Sequence, residues 1–479
     1  MTYDTVIIGG GYAGLSCGAL LAKAGRKVCV LEKSATVGGA FQSFRRGGIS
    51  LDTGFHYVGG VGTGEMMRPL VEALELSDLP WVRLDEDFME VLTCGETYHL
   101  ANGFENFGAR LKEYFPNETS GIDQLTDIML YISDHLYEAV AAGPDYENKL
   151  MSVPAKEWID SQIGDPRLRR LLCAQAVTTD LRPDLPLYSF VQSISSFVQH
   201  SYRLRGGGGT LVARLCDIIA SSGGTVSANR EVVSLKDDGN GHIVAARCAD
   251  GEEISGRTFI STIHPSLSVA LMPESPQVRK IYRRRLSHLP NTRGMFTVQL
   301  LLKPGSVAYR NSVLSIIGSD PWHADYEASS PVSNLLVNWA VPNNGGAFAD
   351  NIDLLTPMEY SAVEQWSESR VGARPQAYKD FKARKAQECI ELAMRCLPEL
   401  EGNISSIYTS TPLTYRDYTG TVDGAAYGTR KSAQSIAGGV LSPATPFGNL
   451  FLAGQSVILH GMLGVGMTSL MVANILQKQ

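Results

Sequence analysis

Residues 5–8 form a short apolar, β-branched run that leads straight into Gly9-Gly10-Gly11-Tyr12-Ala13-Gly14. Such a run suits a buried parallel strand. A helical pattern follows over residues 15–24, and Gly25 ends it. Residues 27–31 make a second buried strand, closed by Glu32. Strand, glycine turn, helix, strand and acid together match the dinucleotide-binding fingerprint, with Gly9, Gly11 and Gly14 as its glycines. Gly9 permits the tight turn. Gly11 lets the backbone approach a pyrophosphate. Gly14 lets helix and strand pack closely. The helix start offers free N–H groups and a partial positive charge to phosphates. Glu32 is suited to both hydroxyls of an adenosine ribose, and its charge disfavours a 2′-phosphate. The competing reading, a glycine-rich structural turn, leaves the flanking strands and the acid unexplained.

The next residues bear on which dinucleotide is bound. Gly38-Gly39 follows Glu32, then residues 41–44, the basic pair Arg45-Arg46, and Leu51-Asp52-Thr53-Gly54-Phe55-His56-Tyr57. A simple NAD dehydrogenase would continue with another βα unit. A second glycine pair and a strand returning to Asp52-Thr53-Gly54 track along a longer cofactor, which favours FAD.

A chain of 479 residues is too long for one small core, so two interleaved domains are expected. Its net charge of −7 and lack of a basic tail argue against nucleic acid as a partner. No Cys pair has C-x-x-C spacing and no Cys/His cluster has zinc spacing, so no metal is expected. The cysteines read as buried reduced thiols of a cytoplasmic protein. Met1-Thr2-Tyr3-Asp4 carries no basic signal region. Residues 450–476 are apolar, but Gln455, His460 and their glycines argue against a membrane span. Arg279, Lys280, Arg283, Arg284 and Arg285 read as a solvated helix face, with an anionic membrane surface as the alternative partner.

Residues 64–80 read as a helix, 104–200 as a mainly helical layer, and 296–302 as an alternating strand of a second sheet. Gly206 to Gly209 turn into a helix and do not complete a second fingerprint. The electron donor or acceptor is therefore left open. A late strand, 449–455, is followed by Gly461, Gly464 and Gly466 before a helix expected over 467–477. That helix start is suited to the flavin edge where negative charge develops on reduction.

On these residues the chain resembles the phytoene desaturase superfamily of flavoproteins, and within it the retinol saturase and carotenoid isomerase branch. Further residues carrying the resemblance are Val58-Gly59, Arg205-Gly206-Gly207, Thr411-Pro412-Leu413-Thr414, Gly424-Ala425-Ala426-Tyr427-Gly428 and Leu452-Ala453-Gly454-Gln455. The resemblance implies an α/β fold of amine-oxidase-like architecture: a Rossmann-like FAD domain with an interleaved α+β substrate domain. The expected FAD segments are 1–80, 201–270 and 431–479, and the substrate segments are 81–200 and 271–430. Expected cofactor contacts are Gly9, Gly11, Tyr12, Ala13, Gly14, Glu32, Lys33, Gly38, Gly39 and Ala40. Gly54, Phe55, His56, Val232, Gly454, Gln455, Gly464, Val465 and Gly466 complete them. Ala40 and Gln455 depart from the residues many relatives carry there, Arg and Asp.

The implied activity is oxidoreduction at carbon–carbon double bonds of a hydrophobic polyene or isoprenoid, as saturase or desaturase. His56 and Tyr57 are the catalytic candidates, with His56 as proton donor or flavin hydrogen-bonding partner; a structural histidine is the alternative. The rival functions are a redox-neutral cis–trans isomerase using reduced FAD and a non-catalytic flavin- or lipid-binding protein.

Overall fold

The computed structural model describes residues 2–138, 149–177, 179–343, 345–435 and 439–478. The opening apolar run forms strand Thr2–Ile8, inside a seven-stranded sheet. Val28–Leu31 and Glu253–Ser261 flank it, both parallel to it. Thr225–Ser227 extends one side in parallel, and Leu450–Leu452 pairs in parallel with the end of Glu253–Ser261. Parallel strands need covering crossovers. Helix Tyr12–Lys23 packs against helices Gly207–Ser221 and Gly461–Gln477. Antiparallel Ile243–Cys248 and Val232–Asp237 close the other edge. The start, middle and end of the chain thus meet in one sheet.

A second seven-stranded sheet runs Ile404–Ser410, Gly294–Leu302, Asn351–Met358, Asn334–Trp339, Val313–Ile317, Asp87–Thr93, Glu96–Ala101. Gly294–Leu302 is buried along its whole length, so its exposure does not alternate. What alternates is the environment. Phe296, Val298 and Leu300 join a core with Tyr378, Phe381 and Cys389 of helix Gln376–Met394. Thr297 and Gln299 instead meet Tyr415 and the Asp52 carbonyl. Helices Phe104–Tyr114, Thr119–His135 and Leu187–Gln199 form the helical layer.

Two helices differ from expectation. The one expected over 64–80 spans only Arg68–Ala73, because Leu74 caps it and Glu75 turns left-handed, at φ 53°. The last helix begins at Gly461 rather than near Met467. Cys17, Cys29, Cys173, Cys248 and Cys389 are buried and unbridged, whereas Cys94 is exposed at a hairpin tip. Among the described residues no helix is long and apolar enough to cross a membrane.

Candidate active site

The glycine loop is built by backbone packing. Gly9 has φ +102° and donates its N–H to the Leu31 carbonyl at 2.8 Å. A Cβ on Gly14 would lie 1.9 Å from the Gly9 oxygen, so only glycine fits there. Gly11 is different. A Cβ on it would meet only Gly39 Cα, at 3.9 Å. Its lack of a side chain therefore serves open space rather than packing. Gly11 also opens helix Tyr12–Lys23 with no side-chain cap, which leaves that helix start free for an anion. Gly38 N–H donates to the Gly10 carbonyl at 2.8 Å and sets Gly39 opposite Gly11. Glu32 Oε2 accepts from Gly10 N at 2.7 Å and Oε1 from Ser34 N at 2.8 Å. The carboxylate is held in place and still faces the cavity.

From this cradle a cavity of about 580 Å³ extends to the second sheet. Gly9, Gly11, Tyr12, Ala13, Glu32, Lys33, Gly39 and Ala40 line one part, with Val232. Gly54, Phe55, His56 and Tyr57 line the next part, with Gly454, Gln455 and Val465. Gly14, Gly38, Gly464 and Gly466 do not line it. Gly14 and Gly38 act through the packing just described. Gly464 and Gly466 flank Val465, which does line the cavity. They lie inside helix Gly461–Gln477, where their Cβ positions would meet Leu459 at 2.6 Å and Leu70 at 2.2 Å. They bring the helix close to its neighbours.

The four-glycine turn at 206–209 does cradle an anion, and that anion is Asp52. Asp52 Oδ1 accepts from Gly208 N at 3.0 Å and from Ser43 Oγ at 2.6 Å. Burial pushes its carboxyl up to about 6, against the Ser43 hydrogen bond and the nearby His56, which favour the charged form. This clamp fixes the strand that delivers residues 54–57 to the cavity. His56 Nδ1 stands 3.3 Å from Asp353 Oδ2, within ion-pair range but off hydrogen-bond alignment, and both ring nitrogens are buried without a hydrogen-bond partner among the described residues. Tyr57 shares a hydrogen bond with Gln175, and burial holds its hydroxyl well above the usual phenol range. Tyr57 is thus a fixed neutral phenol, and its ring packs 5.0 Å from that of Phe197.

Several residues of this region went unnoticed in the sequence. Met295, Leu336 and Leu355 line the cavity from strands that are buried throughout. Gln175, Gln192 and Ser196 line it from the helical layer. Asp353, an acid inside an apolar strand, is the one that carried a readable signal. Lys431 is also buried, and among the described residues its ammonium donates only to the carbonyls of Gly439 and Ser456.

Residues 12–300 match the family model described as flavin containing amine oxidoreductase. The chain belongs to that family. It is 23% identical to the all-trans-retinol 13,14-reductase of Macaca fascicularis over 99% of this chain and 86% of that one. It is 23% identical to prolycopene isomerase 1, chloroplastic, of an Oncidium hybrid cultivar over 98% and 83%. In three dimensions it superposes on putrescine oxidase with TM-score 0.66 at 17% identity, over all of both chains. These relatives bear out the expected retinol saturase and carotenoid isomerase branch. This family member is an FAD-dependent oxidoreductase. Its residues suit FAD: the open Gly11–Gly39 gap, the uncapped helix start and the fixed Glu32 each present what a dinucleotide would meet.

Proposed function

We propose that the chain adds or removes hydrogen across a carbon–carbon double bond of a hydrophobic polyene, as a saturase or desaturase. The observation that carries this reading is continuity. The glycine cradle opens without a break into a cavity wall of Met295, Leu336, Leu355, Met462 and Leu463. Such a wall fits a hydrocarbon chain and excludes water. Relatives named for retinol reduction and prolycopene isomerisation support the same substrate class.

Residues 1–80, 201–270 and 431–479 would hold FAD, and 81–200 and 271–430 the substrate. Gly9, Gly11 and the start of helix Tyr12–Lys23 would carry the pyrophosphate, Glu32 the ribose, and Val232 the adenine. Gly54, Phe55, Gly454, Gln455 and Val465 would border the ring system. Bound FAD supplies hydride chemistry at N5. The protein's part is to orient the polyene, keep the cavity dry and hold one proton at His56. Asp353 Oδ2 stands 3.3 Å from its Nδ1, within ion-pair range. Tyr57 keeps its hydrogen bond to Gln175 and shapes the wall.

A membrane surface would supply such a substrate. Arg279, Lys280, Arg284 and Arg285 are exposed around Ile281, which is 69% exposed. Cations around an apolar knob suit an anionic lipid surface. Pelleting with phosphatidylserine vesicles, lost on Ile281→Ser with Arg284→Glu, tests that contact.

The reaction is tested with purified yellow protein, reduced by dithionite without oxygen and mixed with all-trans polyenes. A product heavier by two hydrogens means saturation. Oxidised protein giving a product lighter by two means desaturation. Unchanged mass with shifted retention means the redox-neutral isomerase. A protein that takes up no FAD would overturn the reading altogether.

A further inference from the structure

Helix Leu187–Gln199 turns polar residues to the cavity where an apolar wall would be expected. Gln192, Ser193 and Ser196 all line it. Ser193 spends its hydroxyl on the Phe190 carbonyl at 2.7 Å, and Ser195 spends its own on the Val191 carbonyl at 2.7 Å. Gln192 and Ser196 do neither. They are 4% and 5% exposed, and neither side chain has a hydrogen-bond partner among the described residues. Their polar groups open onto the cavity, where a bound group can pair with them.

The two residues are one helical turn apart and so share a face. Their place in the cavity is fixed by tight packing. A Cβ on Gly59 would lie 2.1 Å from the Ser196 carbonyl carbon, so strand Val58–Gly59 lies directly on that turn. The adjoining Phe197 packs on Tyr57. The polar pair therefore stands beside the segment that carries His56 and Tyr57.

Resting on the polyene reading above, we infer that Gln192 and Ser196 form a subsite for a neutral oxygen on the substrate. The substrate class is then an isoprenoid bearing a hydroxyl or carbonyl group, rather than a bare hydrocarbon. An amide offers donor and acceptor together, and a serine hydroxyl does the same. That pair matches an alcohol in both directions and a carbonyl as acceptor. A carboxylate is disfavoured. Among the described residues the cavity-lining Lys and Arg side chains are Lys33 and Arg230, which stand with Glu32 and Val232 at the cradle end.

The test compares all-trans-retinol, all-trans-retinal and the matching deoxy hydrocarbon as probes of the FAD-loaded protein. Binding is read by quenching of protein fluorescence. Variants are Gln192→Met, which keeps side-chain length, Ser196→Ala, and the pair. Flavin content and melting temperature report that they fold. Wild type is expected to bind an oxygenated probe at least about tenfold more tightly than the hydrocarbon. The double variant should bring that ratio near one without weakening the hydrocarbon. Equal wild-type affinity for all three probes overturns the subsite and leaves the polyene reading standing. A ratio preserved in the double variant overturns it as well. Failure of every probe to bind a fully flavinated protein overturns both.

Discussion

The two parts of the cavity are made in opposite ways. The cradle at Gly9–Gly14, Glu32 and Gly38-Gly39 is made of backbone: turns at positive φ, a helix start, and a carboxylate gripped by two amides. The far part is made of side chains, such as Tyr57, Gln192 and Leu336, drawn from a loop, a helix and a strand. The cradle serves a group that does not vary. The far wall changes with any side chain that lines it, and can be retuned without touching the cradle. One fold can thus carry relatives named for putrescine, retinol and prolycopene.

The contrast breaks first at Gly14. Gly14→Val would drive a side chain into the Gly9 carbonyl, 1.9 Å from the Cβ position, where no flexible atom can yield. The expected result is complete loss of bound flavin, read as the ratio of 450 nm to 280 nm absorbance. A variant that purifies with stoichiometric FAD would show that the loop tolerates displacement and that the cradle is not fixed by packing.

His56 tests the other side. His56→Gln should leave flavin content intact and lower turnover of a polyene by about 10²–10⁴-fold, the range for loss of a proton donor. A drop below tenfold would make His56 a structural residue. Between these in kind but smaller in size is Glu32→Ala. It strips the Gly10 and Ser34 amides of a charged acceptor, worth about 1.5–3 kcal/mol, so FAD should bind roughly 10–100-fold more weakly. Titrating the apoprotein with FAD measures this; an unchanged dissociation constant would remove Glu32 from the ribose.

The same contrast explains what could be read in advance. Gly9, Gly11, Gly14 and Glu32 lie in consecutive elements, so their spacing alone encodes their geometry. Gly464 and Gly466 look the same in sequence, yet they serve helix packing on Leu459 and Leu70. A glycine permits close approach without saying what approaches. The far wall was harder. Met295, Leu336 and Leu355 sit on strands covered on both faces, which erases the two-residue period that would mark an inner face. Gln192 and Ser196 are ordinary residues of a helix until strand Val58–Gly59, from far earlier in the chain, is laid against them.

The smallest expected effect lies just behind the cavity wall, where Lys431 reaches the carbonyl of cavity-lining Ser456. Lys431 is 5% exposed and, among the described residues, reaches only two carbonyls, both at 3.2 Å. Burial pushes its ammonium down from 10.5 to about 7. In the unfolded chain the same lysine keeps its proton to about 10.5. Between those values the unfolded chain binds the extra proton, so folding stability rises with pH across the window. The penalty is greatest below pH 7, where the buried amine must be charged. Lys431→Met removes the titrating group. Its melting temperature should exceed that of wild type at pH 6.5, and the advantage should shrink by pH 9. Parallel curves for the two proteins would mean that the ammonium is solvated. His460 supplies a second readout. Burial, with the Lys431 charge adding to it, holds this cavity-lining histidine down near 4. With the ammonium gone its pKa should rise, visible in the imidazole proton shifts. Lys431 would then be shown to act on a cavity-lining histidine from outside the cavity.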